Sequence, residues 1–110
     1  MRVNILGTKY TIITDASKKD YPQLSDCYGF NDETTKQIVI GGLEHRYDED
    51  LTNLKIFENK VLIHEIIHCF LNESGLAECS EWARNEEMVD FFARQIDKIQ
   101  KAIEECNISD

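Results

Sequence analysis

The stretch Lys60-Val61-Leu62-Ile63-His64-Glu65-Ile66-Ile67-His68-Cys69-Phe70-Leu71-Asn72-Glu73-Ser74-Gly75 sets the architecture. Its apolar residues recur with a helical period, and the series already begins at Leu51, Leu54 and Phe57. Gly75 suits the left-handed cap that ends such a helix. At about 100° per residue, His64 and His68 lie roughly 40° apart, so both imidazoles leave one face a single turn from each other. Leu62, Ile63, Ile66, Ile67, Phe70 and Leu71 fill the opposite arc, which is expected to bury this helix in the core.

On the C-terminal side a second helix is expected to begin near Ser80, a good N-cap residue, and to run to about Cys106. Met88, Val89, Phe92, Ile96, Ile99 and Ile103 share one of its sides. On the N-terminal side, Val3 to Leu6 and Tyr10 to Ile13 flank Gly7-Thr8 and read as a hairpin. Cys27-Tyr28-Gly29-Phe30 and Lys36-Gln37-Ile38-Val39-Ile40 flank the turn-like Asn31 to Thr35 and read as another, ended by Gly41-Gly42. The expected class is α+β: a small antiparallel or mixed sheet packed on the histidine-bearing core helix, with a C-terminal helix alongside.

At 110 residues, residues 1–110 are expected to form a single domain. A formal charge of −9 disfavours a nucleic-acid partner, since phosphate affinity comes from clustered Lys and Arg. No apolar run is long enough to cross a bilayer, and the N-terminus lacks a leader pattern, so no membrane association and a cytoplasmic location are expected. Cys27, Cys69, Cys79 and Cys106 are then expected to be reduced thiols and not a disulfide framework.

The helical His64-Glu65-Ile66-Ile67-His68 pattern is that of a zinc site: two ligands meet one ion, and Glu65, on the neighbouring edge, is placed to hold a water at the open position as general base. Two blander accounts compete with it. The short pattern arises by chance on solvated surfaces, which the apolar neighbours here disfavour, and a fourth protein ligand would make the metal structural.

A gelatinase-like third ligand would need Gly at position 71 and His at 74, where the chain has Leu71 and Ser74. His45, in the polar stretch His45 to Asp50, reads as a loop residue. Asn85-Glu86-Glu87-Met88-Val89-Asp90 is the better source. Glu86 lies at the margin of the apolar arc beside Val89 and Ala93, whereas Glu87 falls with Arg94 and Lys98, so the wheel favours Glu86. Asp90, one turn on, is placed to accept the second ring N–H of a ligating histidine.

With these residues assembled, the chain resembles the gluzincins, in which His-Glu-x-x-His is followed by Asn-Glu-x-x-x-Asp. More narrowly it is similar to the small ImmA/IrrE-type metallopeptidases and their phage-encoded relatives, whose last helix reads Glu-x-x-Ala-Asn/Asp-x-Phe-Ala. Here that segment is Glu86-Glu87-Met88-Val89-Asp90-Phe91-Phe92-Ala93, with Val89 in place of alanine. The stretch from Lys60 to Leu76 and the strand Lys36 to Ile40 share the likeness, which covers the last two-thirds of the chain. The resemblance implies a minimal zincin-like fold, a zinc ion and a protein or peptide substrate, in a bacterial or phage-infected cytoplasm. Those relatives often accompany a DNA-binding repressor domain; none is expected within these 110 residues, so a repressor substrate is only weakly implied.

The expected chemistry is amide hydrolysis, with zinc on His64, His68 and Glu86 activating a water and Glu65 passing its proton to the leaving amine. The Lys36 to Ile40 strand is expected to offer a sheet edge to an extended peptide. Tyr28, His45, Tyr47 and Arg84 are unranked candidates for stabilising the oxyanion. The rival reading is a zinc-binding, non-catalytic protein-interaction domain, against which the retained Glu65 speaks.

Overall fold

The first two strands, β1 (Arg2–Ile5) and β2 (Thr8–Ala16), pair antiparallel with Ile5 opposite Thr8, leaving Leu6 and Gly7 as the whole turn. Both have positive φ, 50° and 89°, the backbone of a type I′ hairpin, and Asn4 Oδ1 fixes it by accepting the Gly7 N–H at 2.8 Å. In this computed structural model residues 1–42 and 54–108 are described; Leu51, His45 and Tyr47, named from the sequence, lie outside them.

Strands β3 (Gly29–Asp32) and β4 (Gln37–Gly41) form the second antiparallel pair. Asp32 Oδ1 shapes their turn, accepting from Thr34 N at 2.9 Å, Thr34 Oγ1 at 2.6 Å and Thr35 N at 3.3 Å, and Lys36 completes it at φ 56°. Asn31 and Asp32 thus belong to the strand and not to the turn.

The two hairpins join through a parallel pairing of β2 with β4, Ile12 beside Ile38 and Ile13 beside Val39, so the sheet is mixed with order β1-β2-β4-β3. This corrects one expectation. The Lys36 to Ile40 strand is interior, paired on both sides, and offers no edge to a peptide; among the described strands β3 and β1 are the edges. Its Ile-Val-Ile run is continuous and not alternating because both sheet faces are covered. Ile38 and Ile40 join Ile5, Tyr10, Ile12 and Cys69 in the main core, while Val39 joins Ala16 and Leu24 on the other face, beneath a 3-10 turn at Pro22–Ser25.

Helix α1 (Leu54–Glu73) lies on the main-core face through Val61, Leu62, Ile66 and Cys69. It is less enclosed than the wheel suggested: Phe70 is 42% exposed, because only a narrow arc meets the sheet. A Cβ on Gly29 would stand 2.8 Å from Val61 Cγ1, so glycine lets edge strand β3 press directly against this helix. Gly75, at φ 84°, ends α1 as expected and leads into a short helix, α2 (Leu76–Cys79).

The last helix, α3, spans Glu86–Glu105 and starts later than its sequence suggests. Its N-cap is Asn85, whose side chain accepts the Met88 N–H at 2.8 Å; Ser80 instead ends α2, its own N–H bonded to the Leu76 carbonyl, and a 3-10 turn at Trp82–Arg84 intervenes. Val89 and Ala93 are buried, whereas Ile96, Ile99 and Ile103 are 39%, 37% and 44% exposed. The α+β class with a small mixed sheet therefore holds. No described helix is long and apolar enough to cross a membrane, and no disulfide joins the four cysteines.

Candidate metal centre

Helices α1 and α3 run past each other in opposite directions, and the polar stripe of one faces the first turns of the other. His68 Nε2 lies 2.9 Å from Glu86 Oε1, and His64 Nε2 lies 3.2 Å from Glu86 Oε2. The two Nε2 atoms are 3.1 Å apart. Among the described residues, His64, His68 and Glu86 form a group whose ligand atoms all lie within 4.8 Å of one another. Glu87 is exposed and outside that group.

A carboxylate oxygen only accepts, so the 2.7 Å contact of Asp90 Oδ1 with His64 Nδ1 places the ring proton on Nδ1 and leaves the Nε2 lone pair facing inward. That lone pair meets a second imidazole nitrogen and a carboxylate. Acceptors crowded this closely repel one another unless a proton or a cation lies between them. In a tetrahedral zinc site with bonds of about 2.0–2.1 Å, neighbouring ligand atoms stand about 3.3 Å apart, close to the separations found here. The donor set, two imidazoles and one carboxylate, is also zinc's ordinary choice. The residues present fit the ion.

Burial is graded across the group. The histidine side chains are 19% and 17% exposed, those of Glu86 and Asp90 66% and 54%, so the histidines are held by packing and the carboxylates face an approach from solvent.

Glu65 stands apart from the three, as its position on the helix requires. It is 8% exposed, and Oε1 accepts from Asn31 Nδ2 at 2.8 Å. Asn31 Oδ1 in turn accepts from Asn72 Nδ2 at 3.3 Å, which fixes the amide so that its NH2 faces the carboxylate. Burial pushes the Glu65 carboxyl up; the Asn31 bond and the charges of His64 and His68 pull the other way.

Asn31 and Asn72 went unrecognised in the sequence, the former because Asn31 to Thr35 looked like a turn. The available signal was period two: Asn31 is two residues from Gly29 and shares its face of β3, the face against α1.

Of the oxyanion candidates, Tyr28 lines a cleft of about 580 Å3 that also takes in His64, Glu65 and Asp90. Arg84 is spent on the Ala77 carbonyl at the end of α2. Comparison with protein-family models, curated proteins and solved structures finds no match for this chain.

Proposed function

We propose that the protein is a zinc-dependent metallopeptidase of minimal zincin-like form, with the gluzincin arrangement of ligands. The observation that carries this reading is the convergence of His64 Nε2, His68 Nε2 and the Glu86 carboxylate at 2.9–3.2 Å, with a buried carboxylate, Glu65, next in sequence. His64, His68 and Glu86 would hold the ion. Zinc, when bound, supplies a Lewis acid that lowers the pKa of a coordinated water toward neutrality and polarises the scissile carbonyl.

The chain's own residues do the rest. Asp90 holds His64 in the tautomer that presents Nε2. Asn31 clamps one oxygen of Glu65, leaving the other to accept the water's proton and return it to the leaving amine. Edge strand β3, pressed on α1 by Gly29, is the strand beside Glu65 that an extended peptide can join.

Exposed Trp82 and Phe91, 55% and 54% accessible, favour a second reading, a zinc-binding interaction domain without catalysis. Turnover of a quenched-fluorescent peptide pool by zinc-loaded protein separates the two. Peptidase activity should fall by roughly 10²- to 10⁴-fold in Glu65→Gln while the metal is retained. Wild type that binds zinc and cleaves nothing, or a Glu65→Gln variant of equal activity, contradicts the peptidase reading.

A further inference from the structure

The pairing of α1 with α3 advances in steps of four. His68 meets Glu86, and one turn earlier on α1 and one turn later on α3, His64 meets Asp90. The next pair in that register is Lys60 with Arg94. Both are exposed and both line the cleft that contains His64 and Glu65.

Two like charges at one level of a helix pair repel unless a counter-charge joins them. Here neither cation makes an ion pair among the described residues. The α1 neighbours of Lys60 at three and four residues are Ile56, Phe57, Ile63 and His64, none of them acidic. Of the two carboxylates that line the cleft, Asp90 is bonded to His64 and Glu65 to Asn31. In a chain with 21 acidic and 12 basic residues, Lys60 and Arg94 thus have no carboxylate partner among the described residues, at a cleft beside the candidate site. The rest of the cleft wall is apolar, with Tyr28 set edge-on to Phe57 at 4.8 Å between centroids and Val61 and Ala93 nearby.

We propose that this cleft is a specificity subsite for a carboxylate of the peptide substrate, held by Lys60 and the Arg94 guanidinium one helical turn from the metal ligands, with an adjoining apolar side chain against Tyr28 and Phe57. The occupant's identity as a peptide rests on the metallopeptidase reading; the affinity for a carboxylate does not. With a formal charge of −9 the surface as a whole repels acidic peptides, so an acidic preference needs a local cationic site, and its loss in the Lys60 and Arg94 variants separates this pair from the metal as its source.

Two octapeptide libraries test it on zinc-loaded, immobilised protein, with retained peptides sequenced and cleaved ones read by mass spectrometry. One library is amidated and admits Asp and Glu at every position; the other has a free C-terminus and no acidic side chains. Acidic side chains should be enriched roughly five- to twentyfold at one position of the first library. Lys60→Gln/Arg94→Gln should abolish that enrichment, and each single variant should weaken it, with zinc content and circular dichroism unchanged. Retention from the second library, lost in the same variants, assigns the carboxylate to the chain terminus. No acidic preference in either library, or a preference that survives the double variant, overturns the proposal. Retention without cleavage contradicts the peptidase reading and leaves the subsite standing, while cleavage without acidic preference does the reverse.

Discussion

Helix α1 carries two polar clusters, and they are built on opposite principles. Near its C-terminus, Glu73 accepts from Lys36 Nζ at 2.7 Å, Tyr10 OH at 2.8 Å and Thr8 Oγ1 at 3.1 Å. Every contact there is a donor facing an acceptor, the complete pairing that a structural staple between helix and sheet needs. Two turns earlier, with the His64 proton held on Nδ1 by Asp90, His64 Nε2 and Glu86 Oε2 face each other as acceptors at 3.2 Å, and His68 Nε2 lies 3.1 Å and 2.9 Å from His64 Nε2 and Glu86 Oε1. The first cluster is complete with the protein's own groups, whereas the second gathers ligand atoms that could hold a cation. Proximity of charged and polar side chains is common to both, so only the donor and acceptor count separates a staple from a site.

Substitutions can break that contrast. Of the substitutions outside the candidate ligands and Glu65, the largest effect is expected at Asn31, which bonds Glu65 and Asn72. Asn31→Ala should leave zinc content intact and lower peptide turnover by about 10- to 100-fold, because Glu65 loses the group that orients it. Unchanged turnover would show that Glu65 is positioned by packing alone.

At the staple the effect should fall on stability and not on metal. Tyr10→Phe removes one donor to Glu73 from a fully buried ring and should cost about 1 kcal/mol in urea unfolding, with zinc stoichiometry unaltered. A parallel loss of zinc would mean that the two clusters are one unit.

The smallest effect is a change in pH dependence. The Lys36 ammonium, then the Tyr10 hydroxyl, hold the Glu73 carboxyl below the usual range. A carboxyl whose folded pKa lies below its unfolded value contributes stability above the unfolded value and loses it as pH falls through the folded one. Glu73→Gln should therefore flatten the acid limb of the stability curve below roughly pH 4.5. An unchanged acid limb would assign that limb to other carboxylates.

Much of the site was legible because a helix converts spacing directly into geometry. His64, Glu65 and His68 needed only the 3.6-residue period, and Glu86 was favoured over Glu87 from its place at the margin of an apolar arc. What the sequence concealed were pairings between distant segments. Each hairpin was readable by itself, yet the parallel joining of β2 to β4 follows from the way both pack on α1, and it moved the open sheet edge from β4 to β3. Asn31 was hidden for the same reason. Its role depends on a strand that meets α1 across 34 positions of sequence, and its neighbours Asp32 to Thr35 carry strong turn chemistry. The start of α3 was misplaced by local chemistry, since Ser80 and Asn85 are both capable caps and only tertiary placement decides between them.

The three-ligand site is tested most directly by metal content, measured by elemental analysis on wild type and Glu86→Ala purified without chelator. One zinc per chain in wild type, falling sharply in Glu86→Ala, is the expected result. No zinc in wild type despite added metal, or full zinc in Glu86→Ala, would contradict it.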